Sequence, residues 1–335
     1  MSADPRGQGP PDAPPPADRL GRSASLAGAA TLTSRVLGLA REQVQAGVFG
    51  AGNEMDAYLV ALRLPSLVRD LFSEGAMSAA FVPTFTRCLA QRGRDAAWQL
   101  GRNVLTALLV TTGAFVAAGL CLAPWLVQWY APEFADIPGK ATLTVTMGRV
   151  LLPFLTLTAL AAACMGMLNS LRHYFVPSLA PATFNVTSIV CLVGLLPLMS
   201  RLGLPPIAVL PIATLTGGVM QLVVQWPALR REGFRFRPYL DLRDPGLRQI
   251  LLLMGPGTLG IAATQINLFV TTQLATYQGV GAVSWLTYAF RLIYLPVGLF
   301  GVSIATAVLP TASRHAANDD GTAIASTVAR GLGLM

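Results

Sequence analysis

Long apolar stretches alternate with short polar connections along this chain. Apolar segments run at about 25–48, 56–86, 103–130, 142–168, 177–200, 204–228, 249–275 and 282–312. Each is long enough for a helix to cross a bilayer, which takes roughly 20 apolar residues. The pattern predicts an all-α, polytopic transmembrane bundle of eight helices, with a ninth beginning near Thr322. Residues 1–23 are rich in Pro, Gly and Asp, and we read them as a disordered tail. A cleaved secretory signal is the rival reading of this region. It fits poorly, because SASLAGAATLT lacks bulky apolar residues and runs straight into Arg35.

The polar connection REGFRFRPYLDLRDPGLRQ separates six helices from the rest. It divides the chain into a first lobe at 24–230, a basic linker at 231–248 and the start of a second lobe at 249–335. The linker is expected to carry a short amphipathic helix on the inner membrane face. Pro65, Pro83, Pro153, Pro181, Pro256, Pro296 and Pro310 fall within the apolar segments and predict kinks.

With 53% hydrophobic and 12% charged residues, the composition is that of a multi-span membrane protein. The formal charge of +8 is read through its topology. Connections on one side, with the tail, hold 15 arginines, whereas the opposite set holds only Lys140 and Arg201. The positive-inside rule therefore places the N-terminus in the cytoplasm. The basic residues are scattered over separate loops without interleaved aromatics, so nucleic acid is not an expected partner. Cys88, Cys121, Cys164 and Cys191 lack metal-ligand spacing and read as small core residues.

The segment from Ser34 to Phe85 departs from this scheme. It holds Arg35, Arg41, Arg63 and Arg69 inside apolar, Ala- and Gly-rich sequence. An arginine at mid-membrane costs roughly 2.5–3.5 kcal/mol on insertion scales, so four together call for a wet or anionic setting. Arg35 and Arg41 lie six residues apart, roughly 120° around a helix, and Arg63 and Arg69 repeat the spacing. Each helix thus presents a broad cationic sector. The sequence SEGAMS, with Glu74 and Gly75, predicts a break facing a cavity. Arg291 is a further intramembrane charge with no acid nearby in the sequence, while Arg149 falls near a helix end and can snorkel.

The runs SRVLGLAR at 34–41, FGAGNEMDA at 49–57 and LPSLVRDLFSEGAMSAAFVP at 64–83 resemble the MurJ (MviN) family of lipid II flippases, in the superfamily of multidrug, oligosaccharide-lipid and polysaccharide exporters. The resemblance implies a bacterial inner-membrane transporter that moves lipid II, the polyprenyl-pyrophosphate-linked peptidoglycan precursor, between leaflets by alternating access. It implies substrate-binding roles for Arg35, Arg41, Arg69 and Arg291, and gating or structural roles for Asp56, Arg63, Glu74 and Gly75. Some relatives carry an acid where this chain has Phe290, so no local ion pair is expected at Arg291. Members have about fourteen helices, and the chain reads as a fragment that breaks off in the second lobe. The expected protein is a monomer among membrane lipids, with no cofactor beyond coupling to an ion or to the membrane potential.

Other functions fit less well. His173 and His315 lie in short loops, and no nucleophile, metal or phosphate-loop motif appears, which argues against an enzyme. A scaffold would not explain cationic side chains at membrane depth. A drug exporter for cations would favour acids there, whereas a flippase for another polyprenyl-pyrophosphate-linked glycan shares the cationic requirement.

Overall fold

The computed structural model describes residues 17–73 and 76–296. They form helices α1 (Ala17–Phe49), α2 (Asn53–Ser73), α3 (Ala76–Tyr130), α4 (Lys140–Leu151), α5 (Pro153–Ser170), α6 (Phe175–Arg201), α7 (Val209–Val223), α8 (Trp226–Arg231), α9 (Pro245–Thr276) and α10 (Ala282–Pro296). No strand occurs among the described residues. Four stretches, Ala79–Tyr130, Lys140–Ser170, Phe175–Arg201 and Pro206–Arg231, have the length and apolar composition to cross a membrane. Large apolar side chains also cover the outside: Leu252, Trp125 and Trp129 are 77%, 60% and 54% exposed. A bundle apolar both inside and out is one that meets lipid.

The observed breaks differ in part from those expected. Residues 17–23, read as tail, form the first two turns of α1, because Ala, Asp, Arg and Leu there are compatible with a helix. The connection expected near 87–102 is instead helical within α3, interrupted only at Gly93, whose φ of 83° and ψ of 179° suit glycine. Pro153 splits the fourth apolar segment by starting α5 directly after α4, at a position where its missing N–H costs nothing. The linker carries no amphipathic helix: from Phe234 to Asp241 it has no regular secondary structure. Buried Asn103 holds it there by a reciprocal pair, donating to Asp241 O at 2.8 Å and accepting from Asp241 N at 2.8 Å. Thr106 Oγ1 accepts from Tyr239 N beside it. A backbone tied this way has its polar groups met without a helix. The last part of the eighth expected segment and the expected ninth helix lie outside the described residues.

Three apolar clusters hold the bundle. One gathers Phe81, Phe85, Trp98, Met167 and Phe234 between α3, α5 and the linker. Another packs Met55 and Tyr58 of α2 against Leu151, Leu192 and Ile207. The third joins Val60, Tyr130 and Phe134 to Val283 at the start of α10. Small residues permit the close approaches: a Cβ on Gly217 would lie 2.9 Å from Phe184 O, so α6 and α7 meet through that glycine. Cys164 is buried as expected of a core residue, but Cys121 is exposed on the bundle surface.

Candidate functional site

α1 and α6 pack together, and α2 carries α10 against it. This arrangement brings Arg35 and Arg41 of α1, Arg69 of α2 and Arg291 of α10 to the lining of one cavity of about 470 Å³. Glu42 is the acid among its lining residues, so the arginines outnumber it four to one. Asn185 of α6 closes another wall and donates to Ser34 O at 3.0 Å, which fixes α1 against α6. A Cβ added at Gly38 would meet that amide at 3.5 Å, an ordinary contact.

Individual contacts show how the bundle tolerates these cations. Arg291 Nε lies 2.8 Å from Glu42 Oε1, and Arg41 Nη2 lies 3.4 Å from the same oxygen. Arg69 places both Nε and Nη2 on Asp70 Oδ1, at 2.8 and 2.6 Å. The Arg41 guanidinium sits 5.1 Å from the Phe184 ring centre and that of Arg69 5.9 Å from Phe154, within the range of cation–π attraction. These contacts anchor the side chains without neutralising the cavity. Arg41 Nε is buried with no hydrogen-bond partner.

A second chamber of about 340 Å³ shares Arg69, Arg291 and Tyr294 with the first and adds Arg63, Asp70 and Thr272. Arg63 lies against Tyr130, and its Nε and Nη2 are buried without partners. It therefore stands on the same polar interior as the other four arginines. Glu74 and Gly75 lie outside the described residues. Arg149 is exposed and donates from Nε to Leu120 O at 3.2 Å.

Asp56 lies at the other end of α2 and is fully buried. Its carboxylate accepts from Gly281 N at 2.7 Å, Ser284 N at 3.0 Å and Ser284 Oγ at 2.6 Å, and it meets Lys140 Nζ at 3.3 Å. Lys140 also donates to Asn53 at 3.0 Å and lies 3.9 Å from the Phe134 ring centre. A carboxylate at the first turn of α10 satisfies orphan N–H groups and complements the helix dipole. Asp56 thereby caps a helix whose leading Gly281 lies 225 residues later in the chain.

The sequence reading missed three of these partners. It expected no local ion pair at Arg291 and did not find the distant partner, Glu42 of α1, that packing brings to it. It placed Lys140 among the loop cations, but that side chain is 3% exposed and bound to Asp56. Asn185 gave no signal, since a single Asn in an apolar helix marks no particular contact.

A family model described as lipid II flippase MurJ matches residues 45–335. Arg35 and Arg41 precede that matched stretch. The lipid II flippase MurJ of Burkholderia cenocepacia is 36% identical over 288 residues, covering 85% of this chain and 55% of the relative. Probable lipid II flippases of Rhizobium meliloti and Vibrio cholerae are 38% and 36% identical, over 86% and 88% of this chain and 54% and 57% of their own lengths. The chain thus spans little more than half the length of these relatives. Among solved structures, a lipid II flippase MurJ in an inward closed conformation superposes with a TM-score of 0.72 at 26% identity, covering 88% of this chain and 59% of that one. An inward-facing multidrug-resistance MATE transporter shares the fold, with a TM-score of 0.70 at 16% identity over 92% of this chain and 66% of its own. These matches lead to one conclusion: the chain belongs to the lipid II flippase MurJ family.

Proposed function

We propose that the protein translocates lipid II from the cytoplasmic to the outer leaflet, and that Arg35, Arg41, Arg69 and Arg291 hold its pyrophosphate. The observation that carries this reading is the convergence of those four arginines, from three helices, on one cavity. A guanidinium offers a planar fork of donors that matches phosphate oxygens two at a time. Arg41 Nε, buried without a partner, gains one when an anion enters. The polyprenyl chain remains in lipid, where its apolar surface belongs. Movement follows alternating access, and contacts of α10 with α1 and α2 must break for the cavity to open at its other end. Glu42–Arg291 and the Asp56 cap are those contacts. With the N-terminus cytoplasmic, the cap lies on the outer side. The protein works as a monomer, without a cofactor, its direction set by an ion or by the membrane potential.

The test is rescue of cells depleted of their lipid II flippase by the full coding sequence and by its Arg35→Ala and Arg291→Ala variants. Rescue by the parent, with loss of at least about tenfold in colony formation for each membrane-inserted variant, is the expected outcome, since a charged hydrogen bond to an ionised partner contributes about 1.5–3 kcal/mol. An inserted parent that fails to rescue shifts the substrate to another polyprenyl-pyrophosphate-linked glycan. Full rescue by both variants refutes the arginine mechanism.

A further inference from the structure

A second basic recess lies away from the central cavity, where the linker leaves α8. Beyond Gly233, at φ 87°, the chain runs without regular secondary structure through Phe234, Arg235, Phe236 and Arg237, the phenylalanines buried or half-buried and the arginines exposed. Phe234 turns inward and is fully buried, its ring 5.2 Å from Trp98 and 6.2 Å from Trp226. Phe236 packs edge-on against Trp226 at 6.5 Å. Arg235 and Arg237 are left exposed, and with Arg230 of α8 they line a recess of about 570 Å³. The rest of its lining is Trp226, Phe234 and Phe236, with no acid among them. The nearby Glu232 is engaged by Arg94 and His173.

We propose that this recess binds the headgroup phosphate of an acidic phospholipid. Three guanidiniums around an aromatic floor, with no carboxylate to compete, suit a phosphodiester. The recess lies at the end of the spanning stretch Pro206–Arg231, the level at which lipid headgroups begin. Trp226 provides an amphipathic ring of the kind enriched at that boundary. The same linker exposes Leu240 and Leu242, apolar side chains suited to the acyl edge. A bound headgroup would hold the linker between α8 and α9 at a fixed depth. None of the recess residues lines the central cavity, so the inference does not depend on the transported substrate.

The test uses the full-length protein in a neutral detergent, titrated with phosphatidylglycerol or phosphatidylcholine, with retained lipid counted by native mass spectrometry. The parent should retain phosphatidylglycerol in preference to phosphatidylcholine. Arg235→Gln/Arg237→Gln should bind it roughly tenfold or more weakly, as expected for the loss of two juxtamembrane cations. Arg235→Lys/Arg237→Lys, which keeps the charge but not the planar fork, should bind more weakly than the parent and more tightly than the double Gln variant, which separates lost charge from damaged folding. Arg201→Gln, an exposed arginine elsewhere, and the cavity variant Arg35→Ala should both match the parent. Unchanged binding by the double Gln variant, equal retention of phosphatidylcholine, or loss on Arg35→Ala would each overturn the proposal. Displacement of the lipid by equimolar inorganic phosphate would assign the recess to a free anion and overturn it as well.

Discussion

At the scale of single residues, Asp56 of α2 ties both α4 and α10 to its own helix. It is buried, meets Lys140 and caps α10. Removing one member of a buried ion pair strands the other and costs about 3–5 kcal/mol. Asp56→Asn should therefore lower the thermal midpoint of the purified protein sharply. Adding Lys140→Met should restore part of the loss, since no cation then remains stranded. A double-mutant cycle by thermal unfolding measures this, and strictly additive effects would show that the pair is not coupled. The cavity arginines were legible in the sequence, because a charge inside an apolar run has a cost that only a special setting offsets. Glu42 and Lys140 were not, because each meets a partner brought close only by helix packing: Arg291 in one case, Asp56 in the other.

At the scale of elements, apolar run length identified the helices, but their breaks depended on backbone detail that hydropathy does not carry. The stretch 87–102 holds four arginines and was expected to be a loop, yet it remains helical because Gly93 alone takes up the change of direction. The conformation at Gly93 belongs to a region that is essentially glycine-only, and a side chain there costs about 1–3 kcal/mol. Gly93→Ala should destabilise the protein by that amount, whereas Gly113→Ala, within regular helix with no atom near its added Cβ, should be neutral or slightly stabilising. Comparing the two midpoints separates strain from the general effect of adding a methyl group. The linker misled for a similar reason. It was expected to carry a short amphipathic helix, but the amide of Asn103 pairs with the backbone at Asp241 and meets its polar groups without one. Such a long-range pair leaves no local trace.

At the scale of the whole molecule, the two ends of the bundle are pinned by different chemistry. The Asp56 cap is dry, while the opposite end is tied by an exposed latch: Glu232 Oε1 lies 2.8 Å from His173 Nε2 and Oε2 lies 2.8 Å from Arg94 Nη2. Glu232, at the end of α8, thus joins the start of the linker to α3 and to the turn before α6. The hydrogen bond from His173, with the charges of His173 and Arg94, holds the Glu232 carboxyl below the usual carboxylate range. A carboxyl lowered in the folded state binds its proton less readily there than in the unfolded chain. Its stabilising effect is therefore fully present above the ordinary carboxylate pKa and disappears as acidification carries the pH through the lowered folded value. Glu232→Gln should cost a few tenths to about 1 kcal/mol near neutrality, the range of solvent-screened pairs. That gap should close as the pH falls below the ordinary carboxylate range and the parent carboxyl takes up its proton. Thermal midpoints of parent and variant from neutral pH into acid measure it, and about 1 M salt should shrink the neutral-pH gap. A gap that persists unchanged into acid would mean that Glu232 acts through shape rather than charge, and that this end of the bundle is held by the packing of Trp98, Trp226 and Phe234 alone.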